Sequence, residues 1–236
     1  MVEMARRFVE VVLFGGSISW SARAPYGERY ADFVERHLQD GLGQGWAVDV
    51  AACGDGGNTA EEGLARIERD VVDYAPTVVV VNFGGNDAGR APSRESFEDA
   101  MVAIVDTIQK KTRAALVLET IPGIHAERHA WRDREDIMAA GGPEAHLERF
   151  ASSTIRALSE RRDIPIHDRF ARFHEMLEHD ASVWDTLIRP DGIHLTIAGN
   201  ACFGKTLAEM LQNVVLDLNI EEETKETGAV WLERAR

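Results

Sequence analysis

The chain has 236 residues, 44% of them hydrophobic, enough to bury a full core. Its 26 Lys and Arg stand against 40 Asp and Glu, a formal net charge of -14 that argues against nucleic acid or anionic membranes as partners. Only two cysteines occur, Cys53 and Cys202, far apart in sequence; they suggest neither a disulfide framework nor a zinc cluster and fit a reducing compartment.

At the N-terminus, Arg6 and Arg7 precede the apolar run FVEVVLF, superficially like a secretory signal. The run is short, carries Glu10 and has no small-residue cleavage site, so it reads as a strand. No stretch of about 18 apolar residues follows, so no membrane span is expected and a cytoplasmic location is the reading. Further β-rich runs occupy 46–52, 77–83 and 114–121, with a weaker fifth at 164–168. Apolar residues at helical spacing separate them: Tyr30, Phe33, Val34 and Leu38; then Leu64, Ile67, Val71 and Val72; then Met101, Ile104, Val105 and Ile108. This alternation predicts an α/β protein with a parallel sheet of about five strands covered by helices on both faces. From Pro122 to Pro143 the rhythm breaks into a polar, arginine-rich excursion, a lid or an irregular connection, before a helix around Leu147–Leu158. Ile197, Phe203, Leu207, Met210, Leu211 and Val214 mark a last amphipathic helix. We expect one domain over 1–215 and a tail over 216–236, whose Trp231 and Leu232 would make sense packed on a neighbouring subunit, leaving a homo-oligomer open.

In an open parallel sheet, ligands bind outside the carboxyl ends of the strands. There the sequence places GGSIS with Ser17, CGDGGNT, and FGGND with Asn86, and near the C-terminus DGIHLT with Asp191 and His194. Each piece suits acyl transfer. A serine hydroxyl needs a base, which His194 supplies; a carboxylate such as Asp191 orients that base; glycine-loop amides and the Asn86 side chain are donors for an oxyanion. Singly, each has a plainer reading: glycines form turns, Ser17 caps a helix, Asn86 and Asp87 cap or make Asx-turns, and His194 is a hydrogen-bonded core histidine. Their joint occurrence on successive strand-end loops favours hydrolysis.

These four blocks resemble those of the SGNH hydrolases, the GDSL esterase/lipase superfamily. FGGSIS is similar to the first block and makes Ser17 the nucleophile. ACGDGGNTAEEGLARI is similar to the second, whose oxyanion glycine falls at Gly57. NFGGND is similar to the third, giving Asn86, and DGIHLT to the last, giving Asp191 and His194. The first block usually reads Gly-Asp-Ser, whereas Gly16 stands here in place of the aspartate. The resemblance implies a flavodoxin-like three-layer α/β/α sandwich and ester hydrolysis through an acyl-enzyme. It implies an oxyanion hole of Ser17, Gly57 and Asn86, with no metal or cofactor. Short acyl esters, including acetyl esters of carbohydrates, are the expected small-molecule substrates; lysophospholipase or thioesterase activity, and a degenerate binding module, are the alternatives.

Other motifs compete. GNACFGKT, Gly199–Thr206, satisfies a P-loop pattern, but no strand precedes it and too little chain follows to complete a nucleotide-binding sheet. In CGDGGNT, Thr59 takes the place of the third glycine of a dinucleotide fingerprint. A nucleophile elbow would need glycine where Ser19 stands. HAERH, His125 to His129, lacks the glutamate of a zinc-protease helix and reads as a solvated loop; Arg128, Arg132 and Arg134 either contact an anionic substrate or, the favoured reading, form a charged exposed lid.

Overall fold

A computed structural model describes residues 6–218 apart from 22 and 92. Trp231 and Leu232 lie outside the described residues. Five parallel strands form one sheet: β1 Arg7–Gly15, β2 Trp46–Gly54, β3 Val78–Asn82, β4 Ala115–Glu119 and β5 Ile166–His167, in the order β2-β1-β3-β4-β5. The central strands are buried on both faces, as their continuous Val, Leu and Phe runs require. Helices Tyr30–Leu42 and Ile197–Asp217 pack together on the sheet, while Ala60–Leu64, Arg94–Lys111 and Ser153–Arg162 form another group. The result is the flavodoxin-like α/β architecture. Among the described residues, no helix is long and apolar enough to cross a membrane.

The strand order reverses between β1 and β3, so the connections leaving their carboxyl ends diverge and open a crevice. Register sharpens this: Gly15 pairs with Gly54 on one side and Asn82 on the other, so three strands end level. At Gly54 a Cβ would lie 2.3 Å from the Trp20 amide nitrogen and 2.5 Å from the Gly16 carbonyl oxygen. Only glycine allows the turn after β1 to fold back this closely.

Two elements depart from the periodicity reading. The helix expected through Leu64, Ile67 and Val71 is broken into Ala60–Leu64, Ile67–Asp70 and a 3₁₀ turn Val72–Tyr74. Arg66, with φ -114° and ψ 7°, leaves the helical region at the break. Its side chain is drawn back to the strand ends, a tertiary demand that overrides the spacing of apolar residues. The helix expected around Leu147–Leu158 contains a π turn, Glu148–Ser152, which carries Ala151 against Gly84. The P-loop pattern is absorbed into the last helix. There a Cβ on Gly199 would meet the Leu187 carbonyl oxygen at 2.2 Å, and one on Gly204 would meet Phe33 Cβ at 2.7 Å. Those glycines serve helix packing, and the Gly199 amide is committed to the N-cap, donating to Thr196 Oγ1 at 3.0 Å.

The core contains a charged cluster that periodicity does not disclose. Glu119 accepts hydrogen bonds from the Tyr30 hydroxyl and, at 2.8 Å, from His167 Nδ1, and it lies 2.9 Å from Arg169 NH2. Arg169 is fully buried, stacks on the Tyr30 ring and donates to the Thr120 carbonyl oxygen. Burial works to raise the Glu119 pKa, but Arg169 and the hydrogen bonds from His167 and Tyr30 hold it below the usual carboxylate range. Arg169→Met would leave the buried carboxylate without its cation and should lower stability by about 3–5 kcal/mol, read from the urea midpoint.

At the opposite end of β1, half-buried Glu10 pairs in register with Asp49. Burial, then repulsion from Asp49, pushes its pKa up to about 7. The folded protein therefore holds a proton that the unfolded chain releases near 4.5, and stability falls as pH rises through that interval. Glu10→Gln should raise the urea midpoint above pH 8 and leave it nearly unchanged below pH 4.

Candidate active site

Ser17 lies in the turn after β1, bounded by the Trp20 amide donating to the Gly16 carbonyl oxygen at 3.1 Å. The first helix does not begin until Tyr30, so Ser17 caps nothing. Asp191 and His194 occupy a tight turn before the last helix, closed by an isolated antiparallel bridge between Ile188 and Leu195. Asp191 Oδ1 accepts the backbone N–H groups of Ile193 and His194 at 3.2 and 3.0 Å, which orients the carboxylate. His194 then spans two elements 177 residues apart: Nδ1 is 3.0 Å from Asp191 Oδ2, and Nε2 is 2.9 Å from Ser17 Oγ. With the ring proton on Nδ1 toward the carboxylate, Nε2 is left to accept from the serine hydroxyl. This arrangement is able to draw a proton off Ser17 and return it to a leaving group.

Burial tends to raise the Asp191 pKa, but the His194 and Ile193 amides and the His194 ring outweigh it and hold it below the ordinary carboxylate value. Arg23 adds a further cation 3.2 Å from Asp191 Oδ2. The carboxylate is thus charged across the neutral range, as its orienting role needs.

The other two loops converge on the same place. Asn86 precedes the short helix Asp87–Arg90 but makes no capping bond with its side chain. Its Nδ2 donates instead to the Asn58 carbonyl oxygen at 3.0 Å, with one amide proton to spare. The neighbouring Asp87 does the local work: its buried carboxylate accepts from the Ala60 and Gly84 amides at 2.8 and 2.9 Å. Gly57 has φ +84°, a conformation glycine adopts without strain, and Arg90 donates to its carbonyl oxygen. The N–H groups of Ser17 and Gly57 donate to no acceptor among the described residues. A pocket of about 30 Å³ beside Ser17 is lined by Asn58, Asn82, Asn86 and the apolar Ile18, Phe83, Ile121 and Ile193. Asn58, rather than Gly57 itself, forms that part of its wall. Gly16 faces the same groups: a Cβ there would stand 3.3 Å from Asn86 Nδ2, a tight contact that a small shift of that side chain would relieve.

The Pro122–Pro143 excursion is seated against this site. Ile121, Ile124 and Ile137 are buried, and the His125 amide donates to the Gly192 carbonyl oxygen at 2.8 Å. Its arginines pair with carboxylates, Arg128 with Asp185, Arg132 with Asp133 and Arg134 with Asp136. His125 and His129 diverge, the first ring packing edge-on against Trp184 and the second against Trp131. Sequence pattern does not single out Asn58, Asn82, Arg23 or Arg66; Asn58 alone carries a local hint, directly after the expected oxyanion glycine.

Fold and site together set a serine, a histidine and a carboxylate in one hydrogen-bonded line at the strand ends of a parallel α/β sheet. Residues 13–202 match the model of the GDSL-like Lipase/Acylhydrolase family, and the chain belongs to that family. A protein named Uncharacterized lipoprotein YqeF from Bacillus subtilis (strain 168) is 25% identical over 214 residues, 82% of this chain and 86% of that protein. The lipase/acylhydrolase from Enterococcus faecalis superposes with a TM-score of 0.69 at 20% identity, covering 92% of this chain and 99% of that one. An acetylxylan esterase from Geobacillus stearothermophilus superposes with a TM-score of 0.67 at 19% identity, covering 90% and 96%.

The turn that carries Asp191 and His194 depends on Gly192, at φ +83°, where a Cβ would stand 2.9 Å from the His129 amide nitrogen. Gly192→Ala should cost about 1–3 kcal/mol, read as a lower melting temperature, because both backbone strain and the seat of the excursion are disturbed.

Proposed function

We propose that the chain is a serine esterase that cleaves short acyl esters through an acyl-enzyme. The observation that carries this reading is the continuous hydrogen-bonded line from Ser17 Oγ through the His194 ring to Asp191, at 2.9 and 3.0 Å. In the first half-reaction Ser17 Oγ attacks the ester carbon as its proton passes to His194 Nε2. The tetrahedral oxyanion is held by the Ser17 and Gly57 amides and Asn86 Nδ2. Collapse expels the alcohol, which takes the proton from His194. Water, deprotonated by the same nitrogen, then releases the acid and restores Ser17.

The small pocket favours a short acyl group such as acetyl. On the alcohol side, Trp20 is 53% exposed and its ring edge lies beside Gly56, a flat surface suited to stacking on a sugar. The likeness to an acetylxylan esterase accords with this choice of substrate. We assign no cofactor to the reaction.

Hydrolysis of p-nitrophenyl esters from acetate to octanoate tests the reading. Rates should be highest for the shortest chains, vanish in Ser17→Ala, and drop by on the order of a hundredfold in Asn86→Ala. Because His194 must be neutral to accept the serine proton, kcat/KM should fall on the acid side with loss of one essential base. Full activity in Ser17→Ala would reject the mechanism.

A further inference from the structure

Three glycine pairs build the site: Gly15–Gly16 before Ser17, Gly56–Gly57 before Asn58, and Gly84–Gly85 before Asn86. Glycine pairs lose more conformational freedom on ordering than other residues, so donors mounted on them need an outside fixture. Arg66 supplies one. Its guanidinium donates from NH2 to the Gly15 carbonyl oxygen at 2.6 Å, from NH1 to the Cys53 carbonyl oxygen at 3.0 Å, and from Nε to Asn58 Oδ1 at 2.8 Å. The Asp70 carboxylate takes a further NH1 proton, and the guanidinium stacks 4.8 Å over the Phe14 ring. Four hydrogen bonds of a five-donor fork are made, and the side chain is only 10% exposed.

Those partners are not scattered. Gly15 is two residues before Ser17, Cys53 is the penultimate residue of β2, just before the Gly57 loop departs, and the Asn58 carbonyl oxygen accepts from Asn86 Nδ2. One planar group therefore touches the nucleophile turn and the Gly57 loop directly and reaches Asn86 through a single residue. The helix is broken at Arg66, the residue whose side chain reaches back to the strand ends. The geometry points to Arg66 as the positioning residue that holds the three oxyanion donors in mutual register. It acts through Asn58 and the strand-end carbonyls, touches no substrate, and rests on the esterase reading above. Lysine keeps the charge but has no fork to span three acceptors.

The test compares wild type, Arg66→Lys, Arg66→Met, Asn86→Ala and the Arg66→Lys/Asn86→Ala double variant with p-nitrophenyl acetate. Donors displaced without loss of substrate contacts should cut kcat by about tenfold to a hundredfold while KM stays within about threefold. Because both substitutions disable one donor set, the double variant should lose clearly less than the product of the two single losses. Wild-type kcat in folded Arg66→Lys, an effect confined to KM, or fully multiplicative losses would overturn the assignment. Should Arg66→Met not fold, Arg66→Lys carries the comparison, and its failure to fold as well would make Arg66 a residue of the fold and not of the site. Amide hydrogen exchange over 15–20 and 54–59 gives a reading independent of turnover. It should quicken in Arg66→Lys while the sheet stays protected, and unchanged exchange would overturn the inference. Wild type without esterase activity, but with this exchange pattern, would sink the esterase reading and leave the fixture standing.

Discussion

Everything at the site depends on three parallel strands ending level, with backbone packed against backbone at Gly15 and Gly54. The register sets Gly15 beside both Gly54 and Asn82, so the loops carrying Ser17, Gly57 and Asn86 leave the sheet from one line. A side chain at Gly54 would displace the Ser17 turn through direct collision with its backbone. A reversal of strand order between β1 and β3 then opens the crevice into which those loops point. The Asp191–His194 turn is brought to the same crevice from the other end of the chain by the last helix, which packs on Tyr30–Leu42.

Two different solutions to buried polarity lie side by side at these strand ends. At the ends of β4 and β5, Glu119, His167, Tyr30 and Arg169 are sealed from water; Glu119 accepts from Tyr30 and His167 and faces Arg169, whose NH1 and NH2 have no hydrogen-bond acceptor among the described residues. Such a cluster adds less net stability than its contacts suggest, because each charge was desolvated to form it. At the crevice the polar groups are left incompletely paired: the amides of Ser17 and Gly57 and one proton of Asn86 Nδ2 have no protein acceptor among the described residues. Under the proposed mechanism those donors are fixed in advance where the oxyanion forms, which is the physical sense of a preorganised site.

The electrostatics follow the same division. The acidic surface of a chain with net charge -14 does not extend into a cationic binding face, because the excursion's arginines are paired with adjacent carboxylates. Arg23 meets Asp191 directly, and Arg90 bridges the Gly57 carbonyl oxygen and Glu62. Cations near the crevice thus fix protein groups in place.

Sequence by itself determined the strand rhythm, the parallel order it implies, and the loops on which the candidate residues ride. Valine runs such as 78–81 can be satisfied only by burial on both faces, and the residue types of acyl-transfer chemistry are few. Tertiary structure alone decided the rest. The 2.9 Å contact between Ser17 and His194 joins residues 177 apart, a distance no local pattern encodes. Helical spacing from Leu64 to Val72 was real, yet the hydrogen bonds Arg66 makes to two strand ends outweighed the continuation of one helix. Arg169 and Glu119 are of residue types seldom buried alone, and only the meeting of the end of β4 with the start of the helix Arg169–His179 makes their burial possible. Hydrophobic periodicity reports how one segment meets the core; pairing between distant polar groups exists only once the core has brought them together.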